Sequence, residues 1–540
     1  TAVNFANNMG SSSLDIAGLT ITTTTGTGLQ ATSGGTVTVT GTGNAIATTG
    51  GTAVNLAFTT IGAGGVTLES VSSVGGSATG VIVNTVGGGG FSVTGIGSVA
   101  GSGGTISGKT GADGAAPGQG VGVYVAATSN VSLANMAITG NSNGGIVGSN
   151  VTDFTLTDST LTNNGSSGSE GAVYITGLTG TSALLGNVIG GSAGDNVHIV
   201  QTGGTLDLTI ADSVDDQAIM GSVNNATGND SVFVGTTGGA SLTLDVDGVD
   251  FQGARGDLLQ VLADDQSSQD ITIANNGFNN LQAGTGGGVH LSGGGPGSDI
   301  AVTFEVLNNV FTGANGTALS ALYNQQAGTV NGNIEGNTIG VDDGVATGEG
   351  SSAGGSGIFV SLEKTVGAGD ASFAVSIVDN DVHDIDSGFG IFLRAGGGDA
   401  TDTSTLEATV TGNVVDEFGD FAFAALYGIV GSTSFSGDFA QLGIDLSNNV
   451  FDLSDADFGS NAVFLDQLSP DAHYYFPGYT GSGEGEFSAT PGTASVDLDA
   501  FWTGQGNVFT NGAFPSFVGG VDASLITGAT GDAFGLPVWP

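Results

Sequence analysis

The chain has 540 residues, with 102 Gly, 8 Pro and no Cys, and its 4 Lys+Arg against 50 Asp+Glu leave a formal net charge of −46. That balance excludes a nucleic-acid binder, which needs basic groups to neutralise phosphates, and an anionic membrane surface would repel it. The missing cysteines exclude disulfides and thiolate metal sites, while 39% hydrophobic residues are too many for a disordered chain.

The chain opens with "TAVNFANNM", Thr1 to Met9, which reads as a strand with no amphipathic helix before it to cap its edge. Thr1, Val3 and Phe5 are therefore candidate assembly residues, able to pair with another copy or with upstream sequence. A head-to-tail contact of that kind does not close and would give filaments. A start at Thr rather than Met suggests a processed or excised segment, and no signal peptide or uncharged spanning run is visible. Residues 1–110, low in complexity but alternating apolar and polar, are expected to form the Thr/Gly-rich opening coils.

From residue 120 a phrase repeats. Shifting the chain by 23 superimposes Val123 on Ile146, Leu133 on Leu156, Ile138 on Leu161 and Asn141 on Asn164. "GAVYITGLTGTSALLGNVIGG" follows, with an insertion at Ser166 to Glu170. A fixed phrase of about two dozen residues, with insertions at one place, marks a solenoid coil. Further on, a sharper mark recurs as "ANNGF", "LNNVF", "EGNTI", "VDNDV", "TGNVV", "SNNVF" and "QGNVF", each after an alternating strand. Asn, Asp and Gly tolerate left-handed backbone, so each pair is expected to turn the chain and aim the next apolar residue inward. A Gly-rich loop and a third strand then follow, as in "GSGIFV" and "GFGIFL".

Strand, Asn turn, strand, loop, strand is one coil of a parallel β-helix. The expected fold class is all-β, a single elongated β-solenoid of roughly twenty coils stacked about 4.8 Å apart, on the order of 100 Å long. Its main body is expected over residues 111–470. Residues 471–540 should hold the last coils and an irregular aromatic, Pro-containing C-terminal cap.

The repeating phrase resembles the right-handed parallel β-helix repeat of the pectate-lyase-like superfamily. The order of "GSGGTISGKTG", "NVSLANMAITGN", "FTLTDSTLTNNG", "EGAVYITGLTG", "GARGDLLQ" and "YYFPGYTG" is also similar to large bacterial exported β-strand-repeat surface proteins, over roughly Leu29 to Val518. The resemblance implies a right-handed coil and an extracellular or cell-surface location. It implies little about activity.

Several motifs invite a site. "ARGD", Ala254 to Asp257, contains Arg-Gly-Asp, but a turn with Arg255 and Asp257 pairing explains it as well. "DVDGVD", Asp245 to Asp250, resembles part of a calcium loop, yet it lacks the downstream Glu of an EF-hand and fits strand–turn–strand with the turn at Asp247-Gly248. His198, His290 and His473 stand apart from one another in sequence and read as structural. The richest cluster is "VDNDVHDIDSGFGIFLRAG", Val378 to Gly396. Asp379, Asp381, Asp384 and Asp386 are candidate Ca²⁺ ligands there. Ile358 and Ile391 are equivalent positions, which would bring Lys364 towards Arg394. For a polysaccharide lyase or hydrolase, Asp381, His383, Asp384, Lys364 and Arg394 are the candidate catalytic residues. The cluster lacks both the paired Asp motifs and the basic clusters of such enzymes. Four cations are also too few for a long acidic-glycan groove. The favoured expectation is a non-enzymatic extracellular protein that needs no cofactor beyond possible Ca²⁺. It would be a stalk, adhesin, or self-assembling fibre or layer subunit, associating with itself, with cell-surface glycans as a further candidate partner. The second expectation is a polysaccharide-active or glycan-binding protein using the Asp379–Arg394 cluster.

Overall fold

The computed structural model describes residues 1–518 except 9–10, 214–217, 225, 281–285, 343–349, 351–354, 366–368, 398–401, 433–437, 454–460, 470–471, 479–500 and 511–515. The architecture is all-β with large parallel sheets, consistent with a β-solenoid. The chain divides into two compact units, Thr1–Thr236 with Ala240–Leu259, and Thr237–Gly239 with Gln260–Pro540. One short helical turn, residues 501–504, interrupts the strands of the second unit.

In the first unit the register follows the 23-residue shift. Val123–Ala134 pairs in parallel with Ile146–Thr157, setting Val123 against Ile146 and Leu133 against Leu156. Met136–Thr139 pairs with Thr160–Thr162, setting Ile138 against Leu161. Val123, Val125, Val131 and Leu133 point inward and are almost completely buried, as period-two alternation requires. Beyond the insertion at 166–170, Ile146 meets Val173, so the extra residues enlarge a loop and leave the register intact. Thr60–Leu68 pairs with both Val81–Gly88 and Phe91–Val93, and both of these pair with Val123–Ala134. The sheet therefore closes on itself around a corner. Val3–Ala6 pairs with Leu29–Thr32 on one side.

The second unit repeats the scheme in longer coils. Val289–Leu307 pairs with Leu319–Glu335, which pairs with both Ser356–Lys364 and Ala371–Val378. The Asn marks fall between two rows of strands, where their two polar positions do different work. The first residue of each pair carries the left-handed backbone: Asn275, Asn308, Asp379 and Asn448, with Gly336, Gly412 and Gly506 at the equivalent places. The second is a buried Asn that forms a ladder. Asn276 donates to Asn309, Asn309 to Asn337, Asn337 to Asn380, Asn380 to Asn413, Asn413 to Asn449 and Asn449 to Asn507, each Nδ2–Oδ1 distance being 2.9–3.0 Å. Each acceptor Oδ1 also receives the backbone N–H of the Asn one coil earlier. Each Nδ2 from Asn309 onward also donates to a buried strand carbonyl, such as Ile273 for Asn309. A side chain with two donors and a two-lone-pair acceptor is fully used here, which makes burial of so polar a column tolerable. The apolar residue that follows points inward as expected: Phe278, Phe311, Ile339, Val382, Val415 and Phe451 are all buried.

Of the expected C-terminal cap, residues 471, 479–500, 511–515 and 519–540 lie outside the described residues. Within the rest, Trp502 is fully buried edge-on against Phe476, and Val508–Thr510 continues the row of Val450–Asp452.

Candidate functional site

The corner that follows the short strands Thr338–Ile339, Asp381–Val382 and Val414–Val415 collects the densest chemistry of the second unit. Their register is Ile339, Val382, Val415, one under another. The next residues of three successive coils are thus Gly340, His383-Asp384 and Asp416-Glu417. Asp384 and Glu417 both have positive φ, 58° and 53°, and both side chains are buried. Left-handed backbone is uncommon for Glu, and such positions concentrate at sites where the surroundings over-determine the geometry. Gly340 makes the corner possible: a Cβ there would stand 2.3 Å from the His383 carbonyl oxygen.

His383 is the centre of this corner. It is 2% exposed, its Nδ1 is hydrogen-bonded to Asp416 Oδ1, and its Nε2 stands 2.9 Å from Asp381 Oδ1. The second approach is close but off hydrogen-bond alignment, so Nε2 is buried without a hydrogen-bond partner. Burial alone would lower the imidazole pKa; the Asp416 and Asp381 carboxylates outweigh it and raise it to about 9. One ring nitrogen of His383 and one carboxylate oxygen each of Asp342 and Glu417 lie within 4.8 Å of one another.

No family model matches the chain, and no curated protein or solved structure matches it. The geometry alone therefore speaks for the site.

Of the residues singled out from sequence, Asp381 and His383 come together and Asp384 lies buried in the same turn. Asp379 takes the same left-handed position as Asn308 and Asn448, its Oδ1 packed against Gly412 of the next coil, so it belongs to the repeated turn. Asp386 lies against Gly419 on the neighbouring coil. Ile358 and Ile391 are paired as the repeat requires, but Arg394 falls opposite Ser361, three residues before Lys364. Arg394 is ion-paired to Glu363 at 2.8 Å, and Lys364 is buried with its backbone N–H on Asp402. Asp342, Asp416 and Glu417 were not apparent from sequence, although Asp416-Glu417 follows His383-Asp384 at the 33-residue spacing that relates Ile358 to Ile391.

The outward positions of the same strands carry an aromatic row. Phe359 stacks on Phe392 at 4.3 Å, Phe392 on Tyr427 at 5.0 Å, and Tyr427 lies 5.1 Å from Phe464. Phe389 and Phe423 cover it from the side, Phe423 being 47% exposed. Burial, with the nearby Asp466 charge, pushes the Tyr427 hydroxyl up to about 12.

In the first unit, His198 is stacked between Tyr174 and Phe233, with Nδ1 2.7 Å from Asp195 Oδ2. Asp195 Oδ1 accepts the N–H of Asp230, and Asp230 Oδ1 accepts that of Asp257. Arg255 of the Arg-Gly-Asp turn points Nη1 at the carbonyls of Ala226 and Gly228. Gly248 turns the chain between Ser241–Asp247 and Asp250–Gln252, the strand–turn–strand expected for "DVDGVD". His290 bonds Ser320, and His473 begins the strand His473–Tyr475.

Burial, then the neighbouring Asp195 charge, raises the Asp230 pKa from 3.8 to about 7. Between these values the folded state holds a proton that the unfolded chain releases. This contribution to stability is present below pH 3.8 and is lost as pH rises through 7. Asp230→Asn is therefore expected to flatten the fall in Tm between about pH 4 and pH 7 relative to the parent. Parallel Tm–pH curves for the two proteins would show that Asp230 is ionised throughout.

Proposed function

We propose that the chain is a non-enzymatic extracellular scaffold, a right-handed β-helix of roughly twenty coils that serves as a stalk or as a subunit of a fibre or surface layer. The observation that carries this reading is the Asn ladder together with the parallel register: the buried asparagines of the second unit are committed to joining coil to coil. Candidate catalytic groups are spent in the same way, Lys364 by burial and Arg394 by its ion pair with Glu363. Among the described residues no helix is long and apolar enough to cross a membrane. Assembly proceeds head to tail through Val3–Ala6, whose free side accepts a further strand from a second copy or from upstream sequence. Ca²⁺ between the acidic surfaces supports it.

Negative-stain electron microscopy in millimolar calcium, then in chelator, tests this. Filaments or sheets that disperse on chelation, and that fail to form after deletion of residues 1–10, are the expected result. Single particles under every condition would sink the assembly reading.

A second reading, glycan binding, is favoured by the aromatic row Phe359–Phe392–Tyr427–Phe464 beside the Arg394–Glu363 pair, since aromatic faces and charged hydrogen-bonding groups together suit sugars. Glycan-array binding that Phe423→Ala weakens would support it.

A further inference from the structure

We infer that the corner formed by Asp342, His383 and Glu417 is a binding site for a divalent transition metal of the Zn²⁺ class, which staples three successive coils together. The argument begins with the imidazole. A metal-bound histidine characteristically donates its other ring N–H to a carboxylate, which fixes tautomer and orientation; Asp416 takes Nδ1 of His383 in that way. Nε2 is left buried without a hydrogen-bond partner in a cluster of carboxylates. A nitrogen at 2% exposure that faces the Asp381 carboxylate without an aligned hydrogen bond leaves its lone-pair direction open to a ligand.

The spacing fits. Metal–ligand bonds of 2.0–2.2 Å place two ligands of one metal about 2.9 Å apart at a right angle and about 3.4 Å apart at the tetrahedral angle. The 2.9 Å between Nε2 and Asp381 Oδ1, out of hydrogen-bond alignment, is such a spacing, although Asp381 lies outside the group formed by Asp342, His383 and Glu417. The atoms of Asp342, His383 and Glu417 lie close enough for small side-chain rotations to close around one ion. The donor set decides the metal class. One imidazole nitrogen with carboxylate oxygens suits Zn²⁺ and its neighbours, whereas Ca²⁺ takes six to eight oxygens and no nitrogen. On binding, the Nε2 proton leaves to solvent and the ion takes its place between the carboxylates.

The purified full-length chain, stripped with chelator, is titrated with Zn²⁺ by calorimetry in excess Ca²⁺, which occupies the diffuse carboxylates. Cobalt(II) substitution then reports the nitrogen ligand in its visible spectrum. One Zn²⁺ site per chain is expected, weakened about tenfold or more by Asp342→Asn, whose exposed position spares the fold. His383→Gln is expected to remove the cobalt band attributable to nitrogen. A titration showing no stoichiometric site above the carboxylate background would overturn the inference, leaving His383 as an imidazolium between two aspartates. Zn²⁺ affinity unchanged in Asp342→Asn would overturn the assigned ligand set.

Discussion

Asn309→Ala is expected to destabilise the second unit by about 4 kcal/mol. The side chain is fully buried and makes four hydrogen bonds. Its Oδ1 accepts from the backbone N–H and the Nδ2 of Asn276, and its Nδ2 donates to the Ile273 carbonyl and to Asn337 Oδ1. Alanine removes all four and fills none of the space. The Asn276 N–H and the Ile273 carbonyl lose these partners inside a packed core, at about 1–3 kcal/mol for each buried group. Asn309→Asp should be no better, because it sets a second acceptor and a charge against the Ile273 carbonyl. The matched control is Asn324→Ala, an exposed residue whose side-chain hydrogen bond to Glu363 is 3.4 Å long; it should change stability by less than about 0.5 kcal/mol.

A stacked-coil protein opens locally, so the measurement is native-state hydrogen exchange rather than a single melting point. Amides of Ser268–Ala274, Val310–Thr312 and Thr338–Ile339 should lose about three decades of protection, the equivalent of 4 kcal/mol. An effect no larger than that of Asn324→Ala would mean the ladder is incidental to cohesion.

The same ladder shows what the sequence could and could not convey. The alternating strands and the 23-residue shift led directly to the register of Val123–Ala134 on Ile146–Thr157, because period-two burial and a fixed coil length are one-dimensional signals. The Asn marks were legible as turns, but the turn belongs to the first residue of each pair and the ladder to the second. In "LNNVF" the two asparagines are indistinguishable until the next coil is laid over them. The ladder is also hidden by uneven coils: its steps from Asn309 are 28, 43, 33, 36 and 58 residues. For the same reason Asp342, inside the 43-residue step from Asn337 to Asn380, could not be aligned with His383. Asp416 and Glu417 lie at the regular 33-residue spacing and were within reach of the repeat. The aromatic row was present in "GIFV", "GIFL" and "AVFL", where the outward ring is masked by the buried residues on either side.

Lys109→Met is expected to stabilise the first unit at neutral pH and to remove an alkaline gain that the parent shows. Lys109 occupies a ladder position. Its backbone N–H donates to Asn141 Oδ1, as Asn141 in turn donates to Asn164. In place of an amide it carries an ammonium, fully buried, which reaches the carbonyls of Gly75 at 2.8 Å and Gly51 at 3.2 Å. Gly51 and Gly75 lie on earlier coils, so the long side chain bridges coils that have no asparagine to continue the column. Among the described residues it is in no ion pair.

Desolvation lowers its pKa from 10.5 to about 8. Between these values the unfolded chain holds the proton and the folded protein does not, so stability rises with pH from about 8 to 10.5. Below pH 8 both states are protonated and the folded protein bears the whole cost of the buried charge, about 3 kcal/mol for a shift of this size. Methionine fills a similar volume without that cost but gives up two hydrogen bonds, each worth about 1 kcal/mol, so the net gain at pH 7 should be about 1–2 kcal/mol. Above pH 10 the charge cost is gone while the neutral amine keeps its two hydrogen bonds, so the order should reverse and the parent should be the more stable by about 2 kcal/mol. Comparing local stability by hydrogen exchange or proteolysis at pH 7 and near pH 10 isolates Lys109 from the other titrating groups, which the two proteins share. If methionine is the less stable at pH 7, the ammonium's bonds to Gly51 and Gly75 outweigh its desolvation, and the lysine anchors the end of the ladder.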